Sequence, residues 1–156
     1  KSLHDFKGSW RRMERKGEFR GAIVIDDYAH HPREIAAVLE AMMSAYPEKK
    51  INVVYQPHTH ERGITLYDEF TPVFKGVAHL YVMDVYDARP DIEDALLDLD
   101  MFVRDATQES GITAQRIGDT EDTEKFLREK AYIGDADLLL FMGAGTITDV
   151  ATALTA

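Results

Sequence analysis

The sequence predicts an α/β domain of three layers around a mostly parallel sheet of five to six strands, in a Rossmann-like arrangement. Three observations carry that expectation. Short runs, most of them apolar and β-branched, alternate with longer stretches of helical periodicity along the chain. Most of those runs look buried on both faces, as strands between two helical layers are. The connections are short, so repeated strand–helix units imply parallel pairing through right-handed crossovers.

The expected strands are residues 21–26, 50–56, 79–84, 113–117 and 137–142. The run 113–117 is the most polar and is expected at a sheet edge. A further edge strand is expected near residues 10–16, ahead of the first apolar run. The expected helices are 32–46, 65–74, 92–108, 119–130 and 146–154. In the first, Ile35, Val38, Leu39 and Met42 repeat at helical spacing, Pro32 suits a first turn, and Tyr46-Pro47 ends it. In the fourth, Asp119 and the acids behind it supply a cap and a favourable charge at the helix start.

At 156 residues the chain is expected to be a single domain, residues 1–156, large enough for its own core. It carries a net charge of −10, so no nucleic-acid partner is expected. The basic cluster Arg11, Arg12, Arg15 and Lys16 reads as a solvated connector. No apolar run reaches the roughly 20 residues that cross a bilayer. No signal peptide is visible, so a cytoplasmic location is expected. There is no cysteine, which excludes disulfides and thiolate metal sites. The chain opens at Lys1 in what reads as a connector, residues 1–8, and is expected to be a piece of a larger protein.

Chemistry concentrates where strands of such a sheet end, because all parallel strands deliver their carboxyl ends to one rim. The first loop there carries Asp26, Asp27, Tyr28, His30 and His31. The second carries Gln56, His58, Thr59, His60 and Arg62, and the third Asp84, Tyr86, Asp87 and Arg89. The last is Met142-Gly-Ala-Gly145. Its glycines read first as a turn, since no complete phosphate-cradling pattern surrounds them. Arg62 and Arg89 offer planar forks to an anion, against the plainer reading of surface ion pairs with Glu61 or Asp87. The histidines are suited to binding an oxyanion or taking a proton near neutrality. His58, His60, His30 and Asp26 also admit a zinc hydrolase as an alternative. No nucleophile motif is present.

Taken together, Asp26-Asp-Tyr-Ala-His-His-Pro32, Gln56-Pro-His58, Asp68-Glu-Phe70 and Met142-Gly-Ala-Gly145 resemble the C-terminal domain of Mur ligases. Arg11-Arg12-Met-Glu14, followed by Gly17, is similar to that family's lead-in to the domain, and the resemblance runs from about Phe6 to the C-terminus. It implies ATP-dependent amide formation in peptidoglycan synthesis. A carboxylate of a sugar nucleotide is phosphorylated, and an amine displaces the phosphate. Within the family the chain is most similar to members that join L-alanine to UDP-N-acetylmuramate; those that recycle murein tripeptide rank second. A central domain, preceding residues 1–8, would hold the phosphate loop and most magnesium ligands, so no metal ligand is expected here. UDP-N-acetylmuramate would be bound mainly outside this chain, and the chain by itself is expected to be inactive.

By the same resemblance, Asp27 would contact the ATP ribose and Arg12 would face the nucleotide. Tyr28 and His30 would shape the pocket where nucleotide and amino acid meet, with His30 as the catalytic candidate. His58 and Arg62 would hold the L-alanine carboxylate. Thr59 departs from the pattern, because many relatives have arginine there. His60, Glu61, Gly63 and the acidic stretch 91–100 are further departures.

Overall fold

Side chains that alternate along the strands divide between two helical layers. The computed structural model describes residues 10–87 and 95–156. In chain order these form β1 (Glu14–Phe19), β2 (Ala22–Asp27), α1 (Pro32–Ala45), β3 (Lys50–Tyr55), α2 (His60–Thr65), α3 (Tyr67–Phe70) and β4 (His79–Met83). There follow α4 (Leu99–Ser110), β5 (Thr113–Gly118), α5 (Thr120–Glu129), β6 (Asp137–Met142) and α6 (Ile147–Thr155). The sheet runs β1-β2-β6-β3-β4-β5, all parallel except the β1–β2 hairpin. Arg20 (φ 52°) and Gly21 (φ 85°) make that hairpin's two-residue turn, where left-handed backbone matches the strand twist.

On one face Ile25, Val53, Tyr55, Leu80 and Leu140 pack against Ile35 and Leu39 of α1 and Phe102 of α4. On the other, Val24, Val54, Met83, Leu139 and Phe141 pack against Leu127 of α5 and Val150 and Leu154 of α6. Burying each such aliphatic side chain favours the fold by about 1.5–3 kcal/mol. The central strand β6 is buried on both faces from Leu138 to Met142. Among the described residues no helix is long and apolar enough to cross a membrane.

The polar run 113–117 is an edge strand, as expected; β5 pairs only with β4. The strand expected at residues 10–16 lies further along, at β1, and Trp10 stands clear of the sheet with 73% of its surface exposed. The helix expected over 65–74 is in fact two short helices that start earlier. Thr59 caps α2 by accepting from the Arg62 N–H (3.2 Å), and Pro72, which has no N–H, stops α3 from continuing. The helix expected over 92–108 starts at Leu99, where the Asp98 side chain accepts from the Met101 N–H (2.9 Å). It ends at left-handed Gly111 (φ 66°). Residues 92–94 of that expectation, and Arg89, lie outside the described residues.

The order of the strands builds the site. The chain moves from β2 to β3 leaving one vacant position, then returns from β5 to fill it with β6. The carboxyl ends of β2, β6 and β3 are therefore adjacent, with Asp27, Met142 and Tyr55 in register. Helix α1 leaves β2 towards one face and α6 leaves β6 towards the other. A crevice opens where such connections diverge.

Candidate functional site

The first wall is the turn from β2 into α1. His31 caps α1, accepting from the Arg33 N–H (3.3 Å), and Glu34 accepts from the N–H groups of His30 and His31 (3.1 Å each). Burial raises the Glu34 carboxyl, but those two N–H donors and the nearby imidazoles lower it further than burial lifts it. His31 is thereby a structural residue. His30, one position earlier, is fixed by Nδ1 against the Tyr28 carbonyl oxygen (2.9 Å). A carbonyl only accepts, so Nδ1 carries the proton and Nε2 presents a lone pair.

The second wall is the turn from β3 into α2. Capping by Thr59 places Arg62 one turn beyond His58, with Nη1 3.0 Å from His58 Nδ1. Guanidinium only donates, so Nδ1 accepts and the His58 proton lies on Nε2. Desolvation, then the neighbouring His30 ring and the Arg62 guanidinium, hold His58 below its ordinary value, while Asp87 opposes them. The two walls meet: the His30 and His58 rings are 5.1 Å apart, and Tyr86 stacks obliquely on His58 at 6.0 Å. The pocket therefore has one imidazole nitrogen free to accept a proton and one N–H free to donate. Beside them is a guanidinium that presents further donors to an anion.

The floor is the Gly143–Gly145 loop. The Ile147 N–H at the start of α6 donates to Gln56 Oε1 (3.0 Å), which takes up one donor of that helix terminus. The carbonyls of Gly143 and Gly145 accept from the Arg11 guanidinium. Both glycines are needed for space. A Cβ at Gly145 would lie 2.3 Å from Tyr86 Cγ, and one at Gly143 (φ 154°) 2.9 Å from the Gln56 carbonyl oxygen.

Below this rim lie the two carboxylates. Asp26 is fully buried, paired with Arg11 Nε (3.1 Å) and accepting from the Thr148 hydroxyl (2.6 Å). Asp27 accepts from the Met13 N–H (2.7 Å) and the Ala29 N–H (2.8 Å), one on each oxygen. It therefore fastens the lead-in segment to the turn, and each oxygen keeps one lone pair for a further donor. Arg12 is exposed beside it, and Tyr28 is 42% exposed.

The structure brings together His30, His58, Arg62 and Tyr28 on one rim, with Asp27 below it and Arg12 exposed on the adjoining lead-in segment. Two expectations need correction. The basic cluster is not all solvated, because Arg11 is buried. The zinc reading fails on its donors: His60 Nδ1 accepts from the Leu97 N–H (3.0 Å), and Asp26 is fully buried with Oδ2 on Arg11 and Thr148. No group of three His, Asp or Glu positioned for a metal ion occurs among the described residues. Gln56 and Tyr86 lie in loops the sequence singles out and Arg11 in its basic cluster, but their part in building the site, like that of Thr148, is set by partners distant in sequence.

Comparison with known proteins follows the same outline. A family model described as "Mur ligase, glutamate ligase domain" matches residues 11–145. The UDP-N-acetylmuramate–L-alanine ligase of Clostridium acetobutylicum is 40% identical over 145 residues, covering 93% of this chain and 31% of that protein. The chain thus spans about a third of its relative's length. The crystal structure of a UDP-N-acetylmuramate–alanine ligase from Thermotoga maritima matches with a TM-score of 0.74 and 25% identity, over 97% of this chain and 30% of that one. A MurF ligase from Thermotoga maritima in complex with ADP shares the fold, with a TM-score of 0.59 and 19% identity over 97% of this chain and 31% of that one.

Proposed function

We propose that this chain, which belongs to the Mur ligase glutamate ligase domain family, supplies the amino-acid pocket and part of the nucleotide contact of an ATP-dependent UDP-N-acetylmuramate–L-alanine ligase. The observation that carries this reading is the convergence of His30, His58 and Arg62 from two βα turns onto one crevice.

Each residue has a role that follows from its hydrogen atoms. Arg62 and His58 Nε2–H donate to the carboxylate of the incoming L-alanine. Charge-assisted bonds of this kind contribute on the order of 1.5–3 kcal/mol. His30 Nε2 is the acceptor on the same rim and takes a proton as the ammonium becomes the attacking amine. Tyr28 and Tyr86 flank the imidazoles and limit the room for side chains larger than a methyl group. Arg12, exposed and unshielded, faces the phosphates of ATP, and the remaining lone pairs of Asp27 accept from the ribose hydroxyls. ATP supplies the phosphoryl group that activates the sugar-nucleotide carboxylate. The residues here hold and orient the partner that attacks it, so their contribution is positioning and charge stabilisation.

The test is amino-acid-dependent ADP release by the full-length protein with UDP-N-acetylmuramate. The reading expects release with L-alanine and little with murein tripeptide or with bulky amino acids. Turnover with tripeptide in place of L-alanine, or release that ignores the amino acid, would overturn it. The isolated chain should release no ADP under the same conditions.

A further inference from the structure

We propose that Arg11 is a positioning residue that ties the segment leading into the domain to both walls of the amino-acid pocket. The inference deepens the reading above and rests on it for its kinetic arm only.

The lead-in segment adopts an unusual backbone. Arg11 (φ 52°) and Met13 (φ 46°) are both in the left-handed region, which costs non-glycine residues free energy and persists only when the surroundings hold it. Here the surroundings do. The Arg11 N–H donates to Glu14 (2.9 Å), and its carbonyl accepts from the Tyr28 N–H (2.7 Å). The side chain then turns inward and uses every edge of its fork. Nε meets Asp26 (3.1 Å), Nη1 meets the Gly145 carbonyl (3.4 Å), and Nη2 meets the Gly143 carbonyl. The face of the guanidinium lies 5.2 Å from the Tyr28 ring centre and 5.8 Å from that of Trp10.

These contacts lead to the two walls by separate routes. Through Tyr28, Arg11 reaches His30, whose Nδ1 is fixed by the Tyr28 carbonyl and whose ring packs edge-on against the phenol at 5.3 Å. Through Gly145 it reaches Tyr86, which occupies the space a side chain there would fill and stacks on His58. A lysine at position 11 would keep a charge for Asp26 but has no fork to hold two glycyl carbonyls at once. Arg12, expected at the nucleotide, is the adjacent residue. Arg11 thus sits where a shift of the lead-in segment on nucleotide binding would be passed to the imidazole pair.

The experiment compares wild type, Arg11→Lys, and the double variant Arg11→Met/Asp26→Leu in the full-length protein. The double variant removes both buried charges together, so no unpaired carboxylate is left to unfold the domain. The first readout is the histidine side-chain NMR spectrum. His30 and His58 resonances should shift in both variants, whereas His79, held by Asn52 at the opposite end of β3 and β4, should not. The second readout is kinetic: the Michaelis constant for L-alanine should rise roughly tenfold or more, and more than that for ATP. A lowered melting temperature with unmoved His30 and His58 resonances would overturn the proposal, and so would shifted resonances with an unchanged L-alanine constant. If wild type does not use L-alanine, the functional reading fails, and the resonances alone then decide the role of Arg11.

Discussion

His58 Nδ1 accepts from Arg62 Nη1 at 3.0 Å, across a single turn that Thr59 caps. That bond fixes the imidazole tautomer, with the His30 ring 5.1 Å away. Position 59 has been given to starting the helix that delivers Arg62.

Arg62→Ala should raise the Michaelis constant for L-alanine by roughly 10- to 100-fold, with a smaller change for ATP. Steady-state kinetics of the full-length protein, varying each substrate in turn, measures both. Equal effects on the two substrates would contradict a role on the amino-acid carboxylate.

Asp27→Ala should do two things at once. It strips acceptors from the Met13 and Ala29 N–H groups, so stability should fall by about 2 kcal/mol. It should also raise the ATP constant more than the L-alanine constant. Denaturant unfolding tests the first and kinetics the second. A less stable protein with unaltered ATP kinetics would leave Asp27 a fastening residue only.

Gly145→Ala places a methyl group where Tyr86 Cγ and Gln56 Oε1 already lie, at 2.3 Å and 2.6 Å. Tyr86 must move, and stability should drop by about 1–3 kcal/mol. Thermal denaturation reads the loss, and Tyr86→Ala in the same background should restore part of it. No loss would mean that the loop and ring do not pack as described.

The pH dependence follows from His58. Its value in the folded chain is lowered from 6.5, chiefly by desolvation and then by His30 and Arg62. The unfolded chain therefore binds the proton more readily than the folded one. Stability should be full above about pH 6.5 and fall as the pH drops through that value towards the lower folded one. Melting temperature measured between neutral and mildly acidic pH should decline in wild type and decline less in His58→Gln. Parallel profiles would show that other groups govern the effect.

Much of this fold is visible in the sequence because its signals are local. Pro32 behind His31 marks a helix start, and Asp119 with its acids marks another. The run Leu138 to Met142 has no polar residue and forms the central strand, as its length and short flanking turns suggest. The short helices α2 and α3 were harder to read, since Thr59 as a cap and Pro72 as a stop carry little weight beside the apolar pattern around them. The candidate site divides in the same way. His30, His58 and Arg62 lie beside strand ends and are marked by chemistry and position. Arg11 and Gln56 are visible as a basic residue and a loop amide, but their structural roles are not, because their partners Asp26, Gly143 and Ile147 come from other strands and loops, and only the return of β6 between β2 and β3 brings them together.

The departures at His60 and Gly63 also find a physical account in long-range contact. His60 Nδ1 accepts from the Leu97 N–H, and the absent side chain of Gly63 leaves room for Leu97 Cδ2, which a Cβ would approach to 2.6 Å. The stretch before α4 is thereby docked onto the helix that carries Arg62.

The most direct test is a double-mutant cycle on His58 and Arg62, read as the change in the L-alanine Michaelis constant of the full-length protein. If both side chains grip one carboxylate, the double variant should be far less impaired than the product of the single effects, with a coupling of about 1–3 kcal/mol. Strictly multiplicative effects would show that His58 and Arg62 do not grip one carboxylate, and the amino-acid site on this turn would have to be abandoned.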